Sequence, residues 1–248
     1  SLSINLRDRY GPKEFCYPLF GQDAATNVYS ELVLRNAGQD GSHAHLRDAF
    51  VARTIKGQAD VDFMDYRPVV VYINGEYYGL YDLREKICES YVSNRTGADE
   101  DTIDMIKGES ILMSGSLTAY KELLQYVKTH DLSKQENYDH VASLVDVDEL
   151  IDYWIAISFF GNTDTGNIKF YRERADGAKW RWVVFDQDWA LWPGTHTWNM
   201  VEEIINPNGH GVGHMFSTDL MRGLMHNTAF RDKFISTYGT RLKTTYST

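Results

Sequence analysis

The stretch "DVDELIDYWIAISFF", residues 146–160, constrains the fold more than any other. Asp146 stands where a helix N-cap belongs and Glu149 follows at the spacing of a capping box. From Ile151 to Phe160 the chain is apolar nearly all the way round, so the helix has to be enclosed by other elements. Polar chemistry then begins at once, with Asn162, Asp164 and Asn167, and a later strand-like run closes on Asp186-Gln187-Asp188.

A chain of 248 residues with 43% hydrophobic residues suits one large domain or two closely packed lobes around a sizeable core. Its formal charge of −10, with no long basic block, argues against nucleic acid as the main partner. A phosphorylated ligand would need local counter-charge from Lys, Arg or a metal. The two cysteines, Cys16 and Cys88, exclude a disulfide framework, leave a single bridge and the redox compartment open, and read as buried or incidental residues. No apolar run reaches the length of a membrane span, so no membrane insertion is expected within this stretch, and no signal-peptide pattern opens it. "SLSINL" alternates like a strand from its first residue, which suggests a fragment of a longer protein.

The opening strands and loops lead to "ELVLRNAG" and then to a helix expected over Ser42–Gln58, with Leu46, Phe50 and Ile55 inward. Asn74-Gly75 predicts a type I′ hairpin turn inside "VVVYINGEYYGLYDLREKI". "SNRTGADEDTID" reads as a solvated acidic loop, and "SLTAYKELLQYVKTH" as an amphipathic helix. A second hairpin, "NIKFYRERADGAKWRWVVF", follows the enclosed helix, and the C-terminal part returns to helix. Strands first, helices later and one embedded hairpin predict an α+β fold of two lobes, with the N-lobe over about 1–110 and the C-lobe over about 111–248 of a single domain.

With a turn around Arg174–Lys179, the second hairpin should set Asn167 roughly opposite Asp186, so that Asn162, Asp164, Asp186 and Asp188 share one end. Carboxylates that close repel one another unless a cation lies between them. Mg²⁺ is usually held by one or two carboxylates with phosphate oxygens and water, which matches this inventory. Asp164 is then free to act as a base, while Asn167 can offer an amide oxygen to metal. These are parts of phosphoryl transfer. The plain alternative is that Asp and Asn after a helix cap or turn the chain, and that "DQD" returns it to solvent.

The quoted motifs "LRNAGQD" with "LRDAF", "VYINGEYYGLYDLREKI", "FFGNTDTGNIKFYRE" and "WVVFDQDWAL" resemble the CotH (spore coat protein H) family of atypical, protein-kinase-like proteins, over most of residues 1–192. The resemblance implies a kinase-like fold that binds ATP with Mg²⁺ or Mn²⁺ and phosphorylates Ser or Thr on secreted, coat or surface proteins, outside the cell or on its surface. It implies Asp164 as the catalytic residue, Asp186, Asn167 and Asp188 at the metal, and Glu85 on the nucleotide side of the cleft. Arg35, Arg47 and Asp48 match positions suited to phosphate contact or inter-lobe ion pairing. G-x-G-x-x-G, V-A-I-K, H-R-D and D-F-G are all absent, as this family implies. The family's nucleotide-contacting Lys falls upstream of Ser1 or is missing, and Arg7 and Lys13 are weak substitutes.

Without that cation the same fold could serve as an inactive scaffold that presents loops to coat or surface proteins. Trp154, Trp180, Trp182, Trp189, Trp192 and Trp198 raise a third possibility, a glycan-associated module, although Trp180 and Trp182 alternate on one strand face as core residues do. Two nearby carboxylates also suit glycoside hydrolysis, which has no need of the Asn residues flanking Asp164. His196, His210 and His214 mark a polar loop better than a metal site, and His43 and His45 read as solvated.

Overall fold

A computed structural model describes residues 1–108, 110–164, 166–208 and 216–247. The N-terminal part is built mainly of strands: β1 (Leu2–Asn5), β2 (Phe15–Cys16), β3 (Val28–Tyr29) and β4 (Glu31–Arg35), then helix α1 (Arg47–Ile55) and strands β5 (Asp62–Phe63), β6 (Tyr66–Ile73) and β7 (Glu76–Glu85). Four of these form an antiparallel sheet in the order β1-β4-β7-β6. Asn74 and Gly75 both have positive φ, 52° and 85°, as the expected I′ turn between β6 and β7 requires.

After α2 (Glu89–Thr96) come β8 (Ile103–Lys107), β9 (Ile111–Ser114) and helices α3 (Thr118–Thr129), α4 (Gln135–Leu144) and α5 (Val147–Phe160). The second hairpin is β10 (Lys169–Glu173) and β11 (Arg181–Val184), followed by α6 (Met200–Ile205), α7 (Phe216–Leu224) and α8 (Thr228–Lys243). The fold is α+β, strand-rich at first and helix-rich later, in keeping with two kinase-like lobes. A five-stranded sheet, β5-β11-β10-β8-β9, takes strands from both sides of position 110.

Alternation along β8, β10 and β11 gives this sheet two buried faces. Ile106, Phe170, Trp182 and Val184 pack into the main core with α5. Met105, Tyr171 and Val183 join Phe185, Ile87, Cys88 and Tyr91 in a second cluster on the other face. Each large side chain enclosed this way contributes about 1.5–3 kcal/mol. Asp146 caps α5 by accepting the Glu149 N–H, Gly161 ends it in the left-handed region, and Trp154, Trp180 and Trp182 are all fully buried.

Several expectations need correction. Residues before Arg47 wrap around Asp40, whose carboxylate accepts the N–H groups of Ala44, Leu46 and Arg47, so α1 starts later than the pattern suggested. Its inward stripe is Asp48, Val51, Ala52 and Ile55, which leaves Leu46 and Phe50 exposed at 55% and 45%. "SNRTGADEDTID" is solvated at Asp99–Asp101, but it also supplies the end of α2, a 3-10 turn at Glu100–Thr102 and the start of β8, with Asp104 buried against Arg172 and Arg174. The β8–β9 hairpin and α4 add to the elements that the sequence pattern predicts. Cys16 is exposed and Cys88 buried, both as free thiols. Among the described residues no helix is long and apolar enough to cross a membrane.

Candidate functional site

β4 ends at Arg35, and α1 turns Asp48 on its first turn toward that strand end. The Asp48 carboxylate is enclosed by three donors: Arg84 Nη1 at 2.6 Å, Arg35 Nε at 3.5 Å and the Gln187 N–H at 3.0 Å. Burial works to raise the Asp48 carboxyl, but the guanidinium groups of Arg84 and Arg35 outweigh it and hold it below the ordinary carboxylate range. Arg84 is fully buried and also donates to the Met64 carbonyl at 2.9 Å.

β11 delivers Asp186 to the same place. Its backbone is left-handed, φ 55° and ψ 47°, a conformation Asp tolerates better than most residues. Arg35 Nη2 donates to Asp186 Oδ1 and lies 3.8 Å from Asp188 Oδ2. Asp188 also accepts the Gln39 N–H at 2.8 Å. Burial first, and then the charges of Asp186 and Asp48, push the Asp188 carboxyl up to about 6 against the pull of Gln39 and Arg35. Gly38, at φ 56°, is required here, because a Cβ would collide with the Asp188 carboxylate.

Asp164 and Asn167 lie on the loop after α5, where Asp164 Oδ2 accepts from Asn167 Nδ2 at 2.7 Å and Asn162 Oδ1 accepts the Asp164 N–H at 3.0 Å. This loop and Asp186 leave the same end of the β10–β11 hairpin. The register pairs Lys169 with Val183, which sets Asn167 level with Phe185, one residue short of the expected match with Asp186. Among the described residues no hydrogen bond or ion pair joins Asp164 or Asn167 to Asp186 or Asp188.

The remaining expected residues lie apart from this cluster. Glu85 is buried, takes Arg95 Nη2 on both oxygens at 2.6 Å and accepts the Asp65 N–H. Arg47 is paired with Asp40 at 2.8 Å and stacks on Trp192. His196 is exposed, whereas His210 and His214 lie outside the described residues. Sequence reasoning missed Arg84, Arg95 and Lys169. Arg84 and Glu85 are neighbours in "DLREK", and nothing in that string says that both are buried with separate partners.

Lys169 lies on the second-cluster face of the five-stranded sheet, with Nζ 4.8 Å from the Phe185 ring centre and 3.4 Å from the Ile87 carbonyl. Burial first, then the charge of Lys107, pushes its ammonium down to about 8. A cavity of about 420 Å³ lies elsewhere, between α1 and β6, lined by residues such as Phe20, Ala52 and Arg67. The chemistry-bearing groups cluster around Arg35 and not in that cavity, so charge and geometry, not volume, locate the candidate site.

Among the described residues no group of three or more His, Cys, Asp or Glu could hold a metal ion by itself. Asp186 and Asp188, with their mutual repulsion and the raised Asp188 carboxyl, fit an ion that completes its shell with phosphate oxygens and water. A strand-borne cation joined to a helix-borne carboxylate and to an Asp after a distant strand, within this α+β fold, is consistent with a kinase-like protein. The CotH kinase protein family model matches residues 1–247, and the chain belongs to that family. No curated protein matches the chain.

Proposed function

We propose that the chain is an atypical protein kinase domain that transfers the γ-phosphate of ATP to Ser or Thr of secreted, coat or surface proteins. One observation carries the reading: Arg35 joins Asp48 of α1 to Asp186 beyond β11. In protein kinases a strand Lys and a helix Glu pair in this way beside a metal-binding Asp. Arg35 supplies a cation at that position, whether or not a Lys precedes Ser1.

In this reading Asp164 takes the proton of the attacking hydroxyl, and its bond to Asn167 orients it. The hydroxyl oxygen bonds to the γ-phosphorus as the bond from that phosphorus to the bridging oxygen breaks, and ADP leaves with the electron pair. Asp186, with Asp188 and Asn167, would hold Mg²⁺ or Mn²⁺, which neutralises phosphate charge when bound. Glu85, Arg47 and Arg95 brace the surrounding frame through their own ion pairs.

A second reading has support in the same cluster. Arg35 already neutralises Asp186 and approaches Asp188, an arrangement that also suits a non-catalytic scaffold. Calorimetry with ATP and Mg²⁺ or Mn²⁺ separates the two. Metal-dependent ATP binding that disappears in Asp186→Ala supports the kinase. Partner binding that ignores nucleotide, in a protein with no ATP affinity, supports the scaffold.

A further inference from the structure

The cation pair on the second-cluster face of the five-stranded sheet has no role in the site described above. Lys107 on β8 and Lys169 on β10 are direct cross-strand partners, so their side chains leave the sheet on the same face. That face carries Met105, Tyr171, Val183 and Phe185, and Phe185 immediately precedes Asp186. Like charges set directly opposite each other on paired strands destabilise a sheet. Among the described residues no carboxylate makes an ion pair with either lysine, and the charge of Asp186 acts on Lys169 only from beyond ion-pair distance. Among the described residues Lys107 has no hydrogen-bond or ion-pair partner, and Lys169 has the Ile87 carbonyl at 3.4 Å and the Phe185 ring at 4.8 Å, neither of them an acid. The nearby Lys86 is already taken by Glu31 at 2.9 Å, and Asp186 by Arg35.

Lys107 also borders the loop that carries Asp164. The next residue, Gly108, donates its N–H to the Ile168 carbonyl at 2.7 Å. A Cβ on Gly108 would come within 3.3 Å of the Gly166 carbonyl. Lys107 and Lys169 therefore lie at the end of the sheet where the Asp164 loop enters β10 and from which β11 leads on to Asp186. In a chain of net charge −10, two half-buried cations on one inward face, neither in ion-pair contact with a carboxylate, suit an anion.

We propose that Lys107 and Lys169 form an anion subsite that takes phosphate oxygens of a polyphosphate-bearing ligand. Naming that ligand as a nucleotide rests on the kinase reading, whereas the subsite itself rests on the cation pair. Each ammonium gains a charge-assisted hydrogen bond, and the anion removes their mutual repulsion.

Calorimetric titration of the full chain with inorganic tripolyphosphate and, separately, with Mg²⁺-ATP tests this. Lys107→Gln and Lys169→Gln should each weaken tripolyphosphate binding about tenfold, and Lys169→Arg should restore most of it. Thermal unfolding without ligand identifies folded variants, and Lys107→Gln, at the end of its strand, provides a test independent of Lys169. Tripolyphosphate binding that is lysine-dependent, in a protein that binds no nucleotide, supports the subsite and removes the kinase reading. Nucleotide binding unchanged in both folded Gln variants overturns the subsite and leaves the kinase reading intact. Absence of binding by either probe overturns both.

Discussion

The guanidinium of Arg35 grips the carboxylate of Asp186, 151 residues away in the chain, while its Nε faces Asp48 at 3.5 Å. One side chain thus ties the first sheet, helix α1 and the end of β11 together. Burial works to lower the Arg35 pKa, and the surrounding carboxylates outweigh it and raise it above the ordinary arginine value. Removing this cation leaves three carboxylates crowded and partly desolvated.

Arg35→Ala is therefore expected to lower stability by about 3–5 kcal/mol. Urea unfolding followed by circular dichroism measures it. Adding Asp186→Asn should recover part of the loss, since it removes one uncompensated charge. A single variant as stable as the parent would show that the cluster has no structural weight.

Arg84→Met should also cost about 3–5 kcal/mol, because Asp48 loses its shortest buried partner. The same unfolding experiment reads it. Arg67→Met, at an exposed site on β6, is the control and should change stability by less than about 0.5 kcal/mol.

Gly38→Ala tests the close approach to Asp188. The substitution both strains a left-handed residue and drives a methyl group into the carboxylate. A loss of at least about 1 kcal/mol is expected, together with weaker Mg²⁺-ATP binding by calorimetry. An unchanged variant would mean that the segment shifts freely.

Glu149 gives a pH signature away from the candidate site. It is fully buried, accepts the Trp182 N–H at 3.0 Å, and leaves its other oxygen unpartnered in the described structure. Burial first raises its pKa well above the usual value, with Asp62 and Asp146 adding to the effect and Arg181 and the Trp182 bond opposing it. The native state therefore holds a proton that the unfolded chain releases above about pH 4.3. Stability contributed by this group declines as pH rises from there toward the folded pKa. Glu149→Gln should flatten that decline in urea unfolding between pH 5 and pH 8, and a profile unchanged by the substitution would refute the protonated form.

Asp164→Asn should lower the rate of γ-phosphate transfer by about 10²–10⁴-fold while ATP affinity stays within twofold of the parent. Radiolabel transfer and calorimetry read the two effects separately. Equal losses of both would assign Asp164 to ligand binding instead of proton transfer.

Much of this architecture was legible because it depends on neighbours in the chain. The enclosed α5, its Asp146 cap, the Asn74-Gly75 turn and the buried alternation of Trp180 and Trp182 follow from periodicity and turn chemistry over a few residues. Where a local preference met a stronger distant one, the pattern misled. Phe50 points outward because α1 turns Asp48 inward to Arg84 and Arg35, and a charged residue on an inward stripe is invisible to a hydrophobic count.

The sequence by itself determined α5 with its cap, the β6–β7 turn and the presence of the β10–β11 hairpin, because these are properties of short windows. Only the tertiary structure decided which charges meet. Arg35 reaches Asp186 while Glu85 goes to Arg95, and Lys107 faces Lys169 without an acid between them. Ion pairing depends on distance through space and on desolvation, and neither quantity is written in the order of residues along the chain.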